Sequence, residues 1–203
     1  HTYILHAMVK KLTSLSIFMP AFNEEGNIAA TILDAGKAGR RIARDYEIII
    51  INDGSRDKTA EIVRELMKVD SHLRLVNHTK NRGYGAAVKT GLAHCRKDWI
   101  FFTDSDGQFH YDEIEKFVET SPTADLIMGY RKKRMDPFHR VFVAQVLLKF
   151  CNFVLFGLAV RDVDCAYKLF SKKVKDTIKL KTESAITVSE FIIKTKAAGF
   201  RIK

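Results

Sequence analysis

Short apolar runs alternate along the chain with stretches whose apolar residues recur at helical spacing. Residues 15–19, 47–51, 73–77, 99–103 and 126–129 read as strands. After its first residue, the run Glu47-Ile48-Ile49-Ile50-Ile51 shows no polar alternation, the signature of a strand covered on both faces. Between these runs, residues 28–44, 57–69, 84–95 and 112–119 read as helices; in the second, Ile62, Val63 and Leu66 fall on one side. The β-α-β-α rhythm predicts an α/β fold, a mostly parallel sheet with helices on both faces. Residues 141–160 are apolar except for Gln145, Lys149, Asn152 and Gly157. Gln145, Lys149 and Asn152 stand at i, i+4 and i+7, so they draw one narrow polar stripe on an otherwise apolar helix. Such a C-terminal apolar, amphipathic segment, placed over residues 137–157, either packs into the core or lies in the plane of a membrane interface. Residues 199–203 look like the start of another strand, which implies a longer natural chain. No repeat, low-complexity stretch or linker divides residues 1–203, so a single domain is expected, with a flexible start at residues 1–12.

Composition narrows the partners. The formal net charge of +10 calls for an anionic ligand or surface. Nucleic acid, phosphorylated small molecules and acidic lipid headgroups all carry the required sign. Much of the excess is local. Residues 131–149 hold six Lys and Arg against the single Asp136, and cations beside a wide apolar face fit an anionic lipid surface. The three cysteines, Cys95, Cys151 and Cys165, are odd in number and show no CxxC or Cys/His spacing. This argues against a disulfide framework and a zinc site, and points to small buried side chains in a reducing compartment. No stretch of about 20 residues is apolar without interruption, so no membrane-spanning helix is expected, and no signal peptide is evident.

The polar clusters stand where the predicted strands end. They are Pro20-Ala21-Phe22-Asn23-Glu24-Glu25, Asn52-Asp53-Gly54-Ser55 and Asp104-Ser105-Asp106-Gly107-Gln108. In a parallel sheet all three fall at one edge, the place where such folds bind ligands. Asp104 and Asp106, two residues apart after an apolar strand, form a hard oxygen pair suited to Mg²⁺ or Mn²⁺, and Gln108 adds an amide oxygen. The bland reading is a solvated turn whose aspartates cap the next helix. Asp53 at a strand end can accept from ribose hydroxyls or a base N–H, with Gly54 allowing close backbone approach; a tight strand-to-helix turn is the plain alternative. Asn81-Arg82-Gly83-Tyr84-Gly85 opens a helix, and its backbone N–H groups together with Arg82 suit a phosphate. Gly129-Tyr130-Arg131-Lys132-Lys133-Arg134 puts consecutive cations at the same edge, where an anion would be held.

Taken in order from about Leu15 to Ile202, these segments resemble family 2 glycosyltransferases of the GT-A fold. The nearest branch is the polyprenyl-phosphate sugar transferases, which include dolichol-phosphate mannose synthases and bacterial undecaprenyl-phosphate glucosyltransferases. Pro20 to Glu25 resembles the family's first block, with Phe22 where Tyr is usual. Asn52-Asp53-Gly54-Ser55 resembles its Asp-Asp-Gly-Ser block, with Asn52 in place of the first Asp. Asn81-Arg82-Gly83 matches the third block, and Asp104-Ser105-Asp106-Gly107-Gln108 the metal block. Gly129-Tyr130-Arg131 followed by Arg140 is similar to the arginines that hold a lipid phosphate, although Ala144 stands where Ser is usual. Asp162 to Phe170 is similar to a later segment of the same branch.

The resemblance implies an inverting transfer of a hexose from a nucleoside-diphosphate sugar, of the GDP-mannose or UDP-glucose type, to a polyprenyl phosphate. Pro20, Ala21, Phe22, Glu24, Asp53, Arg82, Gly83 and Ser105 would line the nucleotide site. Asp104, Asp106 and Gln108 would hold Mg²⁺ or Mn²⁺, with Asp106, Asp104 and Arg131 closest to the chemistry. Arg131 and Arg140 would hold the acceptor phosphate, and Asp164 and Lys168 would close the sugar site. A peripheral place at the cytoplasmic face of a membrane follows from such an acceptor. A transferase with a soluble or glycan acceptor would keep the metal site but need a general base. A nucleotide-sugar sensor would not need an intact Asp-x-Asp pair. Nucleic-acid binding is disfavoured, because the basic residues share their edge with carboxylates and no known nucleic-acid motif is present.

Overall fold

A computed structural model describes residues 11–107, 111–130, 165–184 and 186–203. In chain order the elements are β1 (Leu12–Ala21), α1 (Ile28–Ile42), β2 (Ala43–Asn52), α2 (Thr59–Met67), β3 (Leu73–Asn77), α3 (Tyr84–His94), β4 (Trp99–Phe102), α4 (Ile114–Thr120), β5 (Leu126–Met128), β6 (Lys168–Ser171), α5 (Lys172–Thr177) and α6 (Thr187–Ala197). They build a six-stranded sheet in the order β3-β2-β1-β4-β6-β5. β1 pairs in parallel with β2 and β4, and β2 with β3, whereas β6 runs antiparallel to both β4 and β5.

The isoleucine run of β2 explains why helices cover both faces. Ile48 and Ile50 point to one side with Leu15, Ile17 and Met19, under Ile28, Ile32 and Ala35 of α1 and Ile114 of α4. Ile49 and Ile51 point to the other side with Phe18, Ile100 and Phe102, under Ala87 and Val88 of α3 and Phe191 of α6. All four isoleucines are 0% exposed, so neither face of this strand meets water. At about 25 cal/mol per Å² of apolar surface, such double burial is the main force holding the layers together.

The expected sheet with helices on both faces is therefore present, with three differences. β1 begins at Leu12, within the segment expected to be a flexible start, because Leu12 already pairs with Ala43. α1 stops at Ile42 and passes straight into β2 at extended Ala43, and the Tyr46 ring of β2 packs where a Cβ on Gly39 would stand. Residues 126–129 were expected to end a parallel set, but an antiparallel strand, β6, lies between β5 and β4. The strand expected at residues 199–203 is met in part. Ile202 bridges in parallel to Leu126, and the Lys203 N–H donates to the Leu126 carbonyl at 3.0 Å. Among the described residues, no helix is long and apolar enough to cross a membrane. The segment expected over residues 137–157 lies outside the described residues, as does Cys151; Cys95 and Cys165 are buried thiols.

In mid-β2, level with the starts of β3 and β4, a buried carboxylate ties three strands. Glu47 of β2 accepts from Ser16 Oγ of β1 (2.7 Å), the Arg96 N–H before β4 (3.0 Å) and Arg74 Nη1 of β3 (2.6 Å). Burial raises the Glu47 pKa, but those bonds and the Arg74 charge carry it below the ordinary carboxylate value.

Candidate active site

β1, β2, β3 and β4 end on one side, and the chain leaves them in turns at residues 22–27, 53–58, 78–83 and 103–107. Parallel alignment alone brings these four turns together. What fixes them is a set of side chain to backbone bonds between turns far apart in sequence.

The first two turns are stitched reciprocally. Asn23, at φ 57, takes the Arg56 N–H on its Oδ1 (2.9 Å), and its own N–H donates to Ser55 Oγ (3.0 Å). The Glu25 N–H donates to Asp57 (3.0 Å) while the Lys58 N–H donates to Glu25 (3.0 Å). The Glu24 N–H donates to Thr59 Oγ1 (2.8 Å). Burial pulls the Asp57 pKa up, but the Thr59 hydroxyl and the Thr59 and Glu25 amides outweigh it and leave the carboxyl below its usual range. Half of the polar residues in the two motifs thus serve to hold the turns in register.

Asp53, 3% exposed, organises the third turn. Its Oδ1 accepts from the Arg82 N–H (2.9 Å) and its Oδ2 from the Gly83 N–H (2.8 Å). Gly83 stands at φ 90 and opens α3. Gly54, at φ 72, brings the second turn so close that a Cβ there would sit 2.5 Å from the Asn81 nitrogen. No side chain fits that contact, which is why glycine follows Asp53. Arg82 itself faces outward, its guanidinium 3.4 Å from Glu183.

The fourth turn carries the acidic pair. Ser105, 2% exposed, donates from Oγ to the Pro20 carbonyl (2.7 Å), and its own carbonyl accepts from Thr31 of α1 (3.2 Å). The turn is therefore anchored on both sides, with half-buried Asp104 and Asp106 flanking the anchor. Tyr84, the first residue of α3, donates from its hydroxyl to Asp104 Oδ1 (2.8 Å) and joins the third turn to the fourth. Burial and then the Asp104 charge push the Tyr84 phenol above its usual pKa, so it stays a donor.

Of the residues expected at the site, Pro20, Ala21, Asp53 and Ser105 are buried parts of the frame, while Phe22, 43% exposed, and Arg82 stand at its rim. Glu24 is half-buried and accepts from Asn27 Nδ2 at 3.1 Å. Lys168 lies in the wall beside β4: it is 1% exposed, its ammonium bonds the Cys165 carbonyl, and it stands 5.9 Å over the Phe102 ring. Gln108, Arg131, Arg140 and Asp164 lie outside the described residues. Among the described residues, no cluster of three or more metal-binding side chains occurs. Asp104 and Asp106 do fit a hard divalent cation, being a pair of carboxylate donors on an anchored turn at the ligand-binding edge. Sequence reasoning missed Asn23 and Thr59 as cross-loop anchors, and His78 altogether. The signal for His78 was its place directly after a strand, at the edge where every other polar cluster falls.

Comparison with known proteins agrees with this geometry. Residues 16–177 match the model of the Glycosyl transferase family 2 family. The low-salt glycan biosynthesis hexosyltransferase Agl6 of Haloferax volcanii is 30% identical, over 94% of this chain and 46% of the relative. The dolichyl-phosphate beta-glucosyltransferase ALG5D of Trichomonas vaginalis is 29% identical, over 78% of this chain and 53% of the relative. The undecaprenyl-phosphate 4-deoxy-4-formamido-L-arabinose transferase of Pseudomonas fluorescens is 28% identical, over 81% and 48%. The chain spans about half the length of these curated relatives. Among solved structures, glucosyl-3-phosphoglycerate synthase from Mycobacterium tuberculosis in complex with UDP superposes with a TM-score of 0.71 at 20% identity, covering 92% of this chain and 66% of that one. The same enzyme with Mn²⁺, UDP-glucose and phosphoglyceric acid gives 0.70 at 19% identity, over the same shares of the two chains. The fold is thus shared with these structures, and the match over residues 16–177 shows that the chain belongs to glycosyltransferase family 2.

Proposed function

We propose that this domain transfers a hexose, with inversion, from a nucleoside-diphosphate sugar to a polyprenyl phosphate at a membrane surface. The observation that carries the reading is the single edge at which the Asp53-held turn and the Asp104/Asp106 turn are bound together through Tyr84. Support for the acceptor comes from relatives whose names give dolichyl phosphate and undecaprenyl phosphate. Support for the donor and the metal comes from fold neighbours solved with UDP-glucose and Mn²⁺.

In this reading the rim residues Phe22 and Arg82, on the frame of Pro20, Ala21, Glu24, Asp53, Gly83 and Ser105, receive the nucleotide. The first turn of α3 follows the Arg82 and Gly83 amides, which Asp53 already takes, and would offer its later N–H groups to the diphosphate. Asp104, Asp106 and Gln108 hold Mg²⁺ or Mn²⁺. A cation held by these residues would supply charge neutralisation for a diphosphate leaving group. A lipid phosphate is already anionic at neutral pH, so the protein has to position it rather than deprotonate it. Arg131 and Arg140 take that task, and Asp164 and Lys168 bound the sugar pocket. The apolar segment over residues 137–157 takes the first isoprene units at the cytoplasmic face.

The test is a transfer assay in detergent with UDP-glucose and GDP-mannose, each offered a short-chain polyprenyl phosphate or a soluble glycan. The expected product is a polyprenyl-phosphate hexose formed from one donor, with Mn²⁺ or Mg²⁺ and not with EDTA. Transfer to the glycan alone would overturn the acceptor assignment.

A further inference from the structure

We propose that His78 is a positioning residue for the nucleotide-binding turn, acting through Asp53. This rests on the reading that Arg82 and Gly83 contact the donor. His78 directly follows β3, and its N–H donates to the Asn52 carbonyl of β2 (2.9 Å), so its backbone belongs to the sheet. Its side chain is 5% exposed. Nδ1 lies 2.6 Å from Asp53 Oδ1, and Nε2 lies 2.9 Å from Thr90 Oγ1 on α3. A carboxylate only accepts, so Nδ1 carries the proton and donates.

Asp53 takes two further donors, the Arg82 and Gly83 amides, but these belong to the turn that is being held. The second side-chain torsion of an aspartate is broad, so the backbone of Asp53 does not set that direction. His78 does, because it is fixed independently by the sheet and by Thr90. The path therefore runs from the sheet through His78 and Asp53 to the amides of Arg82 and Gly83. Without it the turn samples several positions, and a nucleotide must select one of them, which lowers affinity by the fraction of molecules that are competent.

The test compares His78→Leu, His78→Asn and Thr90→Val with the wild type. The Asn amide can donate close to where Nδ1 stood; Leu cannot. With Mn²⁺ present, Kd for UDP or GDP is expected to rise about tenfold in His78→Leu and to stay within about threefold of wild type in His78→Asn. Thr90→Val, which keeps the bond to Asp53, should fall between them. In the ligand-free protein, hydrogen exchange at the Arg82 and Gly83 amides should quicken about tenfold in His78→Leu, while β1 and β2 amides keep their protection. Unchanged Kd and unchanged exchange in His78→Leu would overturn the proposal. So would equal losses in Leu and Asn accompanied by equal losses of protection in β1 and β2, because that is a general packing defect. Should the wild type bind no nucleotide, the donor reading fails, and the exchange at Arg82 and Gly83 still decides what His78 does.

Discussion

Replacing Asp106 with alanine should lower the Mn²⁺-dependent affinity for the nucleoside diphosphate by about 100-fold or more, some 2.7 kcal/mol, with no loss of fold. The two halves of this expectation have separate causes. Asp106 is the half-buried carboxylate beyond the anchor of its turn, and a hard cation has few other oxygens there once it is gone. The turn keeps its shape because its anchors are elsewhere, in Ser105 on the Pro20 carbonyl and Thr31 on the Ser105 carbonyl. Calorimetric titration of UDP and GDP with Mn²⁺ and with EDTA measures the first half, and the melting temperature measures the second. Equal Mn²⁺-dependent affinity in Asp106→Ala and wild type would remove the metal assignment.

Glu47→Ala should do the reverse, costing stability and sparing the site. It leaves Arg74, Ser16 Oγ and the Arg96 amide without their common acceptor. Removing one partner of a buried ion pair costs about 3 kcal/mol or more. In a domain of this size that is a fall of about 10 °C in Tm. The acid response gives a second check. The folded pKa of Glu47 is depressed, so its contribution is fully present above its unfolded value near 4.5 and is lost as pH falls through the lower folded value. Between pH 7 and pH 3 the wild type should therefore lose more stability than Glu47→Ala, and the two Tm curves should converge at the acid end. Parallel curves would show that Glu47 carries no such linkage. Nucleotide affinity at neutral pH should be unaffected, because Glu47 lies in mid-strand, five residues before the end of β2 from which the site turn leaves.

How far the chain could be read in advance depended on whether a feature was local. The buried stretches of β1, β2 and β4 were legible as apolar runs because burial on both faces leaves little room for polar residues, most plainly at Ile48–Ile51. β6 was not, because it opens with Lys168, a residue type that is almost never fully buried. Only the tertiary structure supplies the Cys165 carbonyl and the Phe102 face that receive that ammonium. The acidic pair and the glycine turns could be placed at strand ends, since parallel topology then brings them to one edge. Which members bind ligand and which hold the frame was not legible. Asn23 meets Ser55 and Arg56, and His78 meets Asp53 and Thr90, across separations that no local pattern encodes.

The central claim, a metal-dependent nucleotide-sugar site, is tested most directly by thermal unfolding in the presence of UDP, GDP, UDP-glucose and GDP-mannose, each with Mn²⁺ and with EDTA. A ligand that binds only the folded state raises the midpoint with its occupancy, by about 2.7 kcal/mol at 100 times Kd. The account predicts a rise of about 5–10 °C for one base series with Mn²⁺ and its disappearance in EDTA. An unchanged midpoint with every nucleotide in both conditions would contradict it.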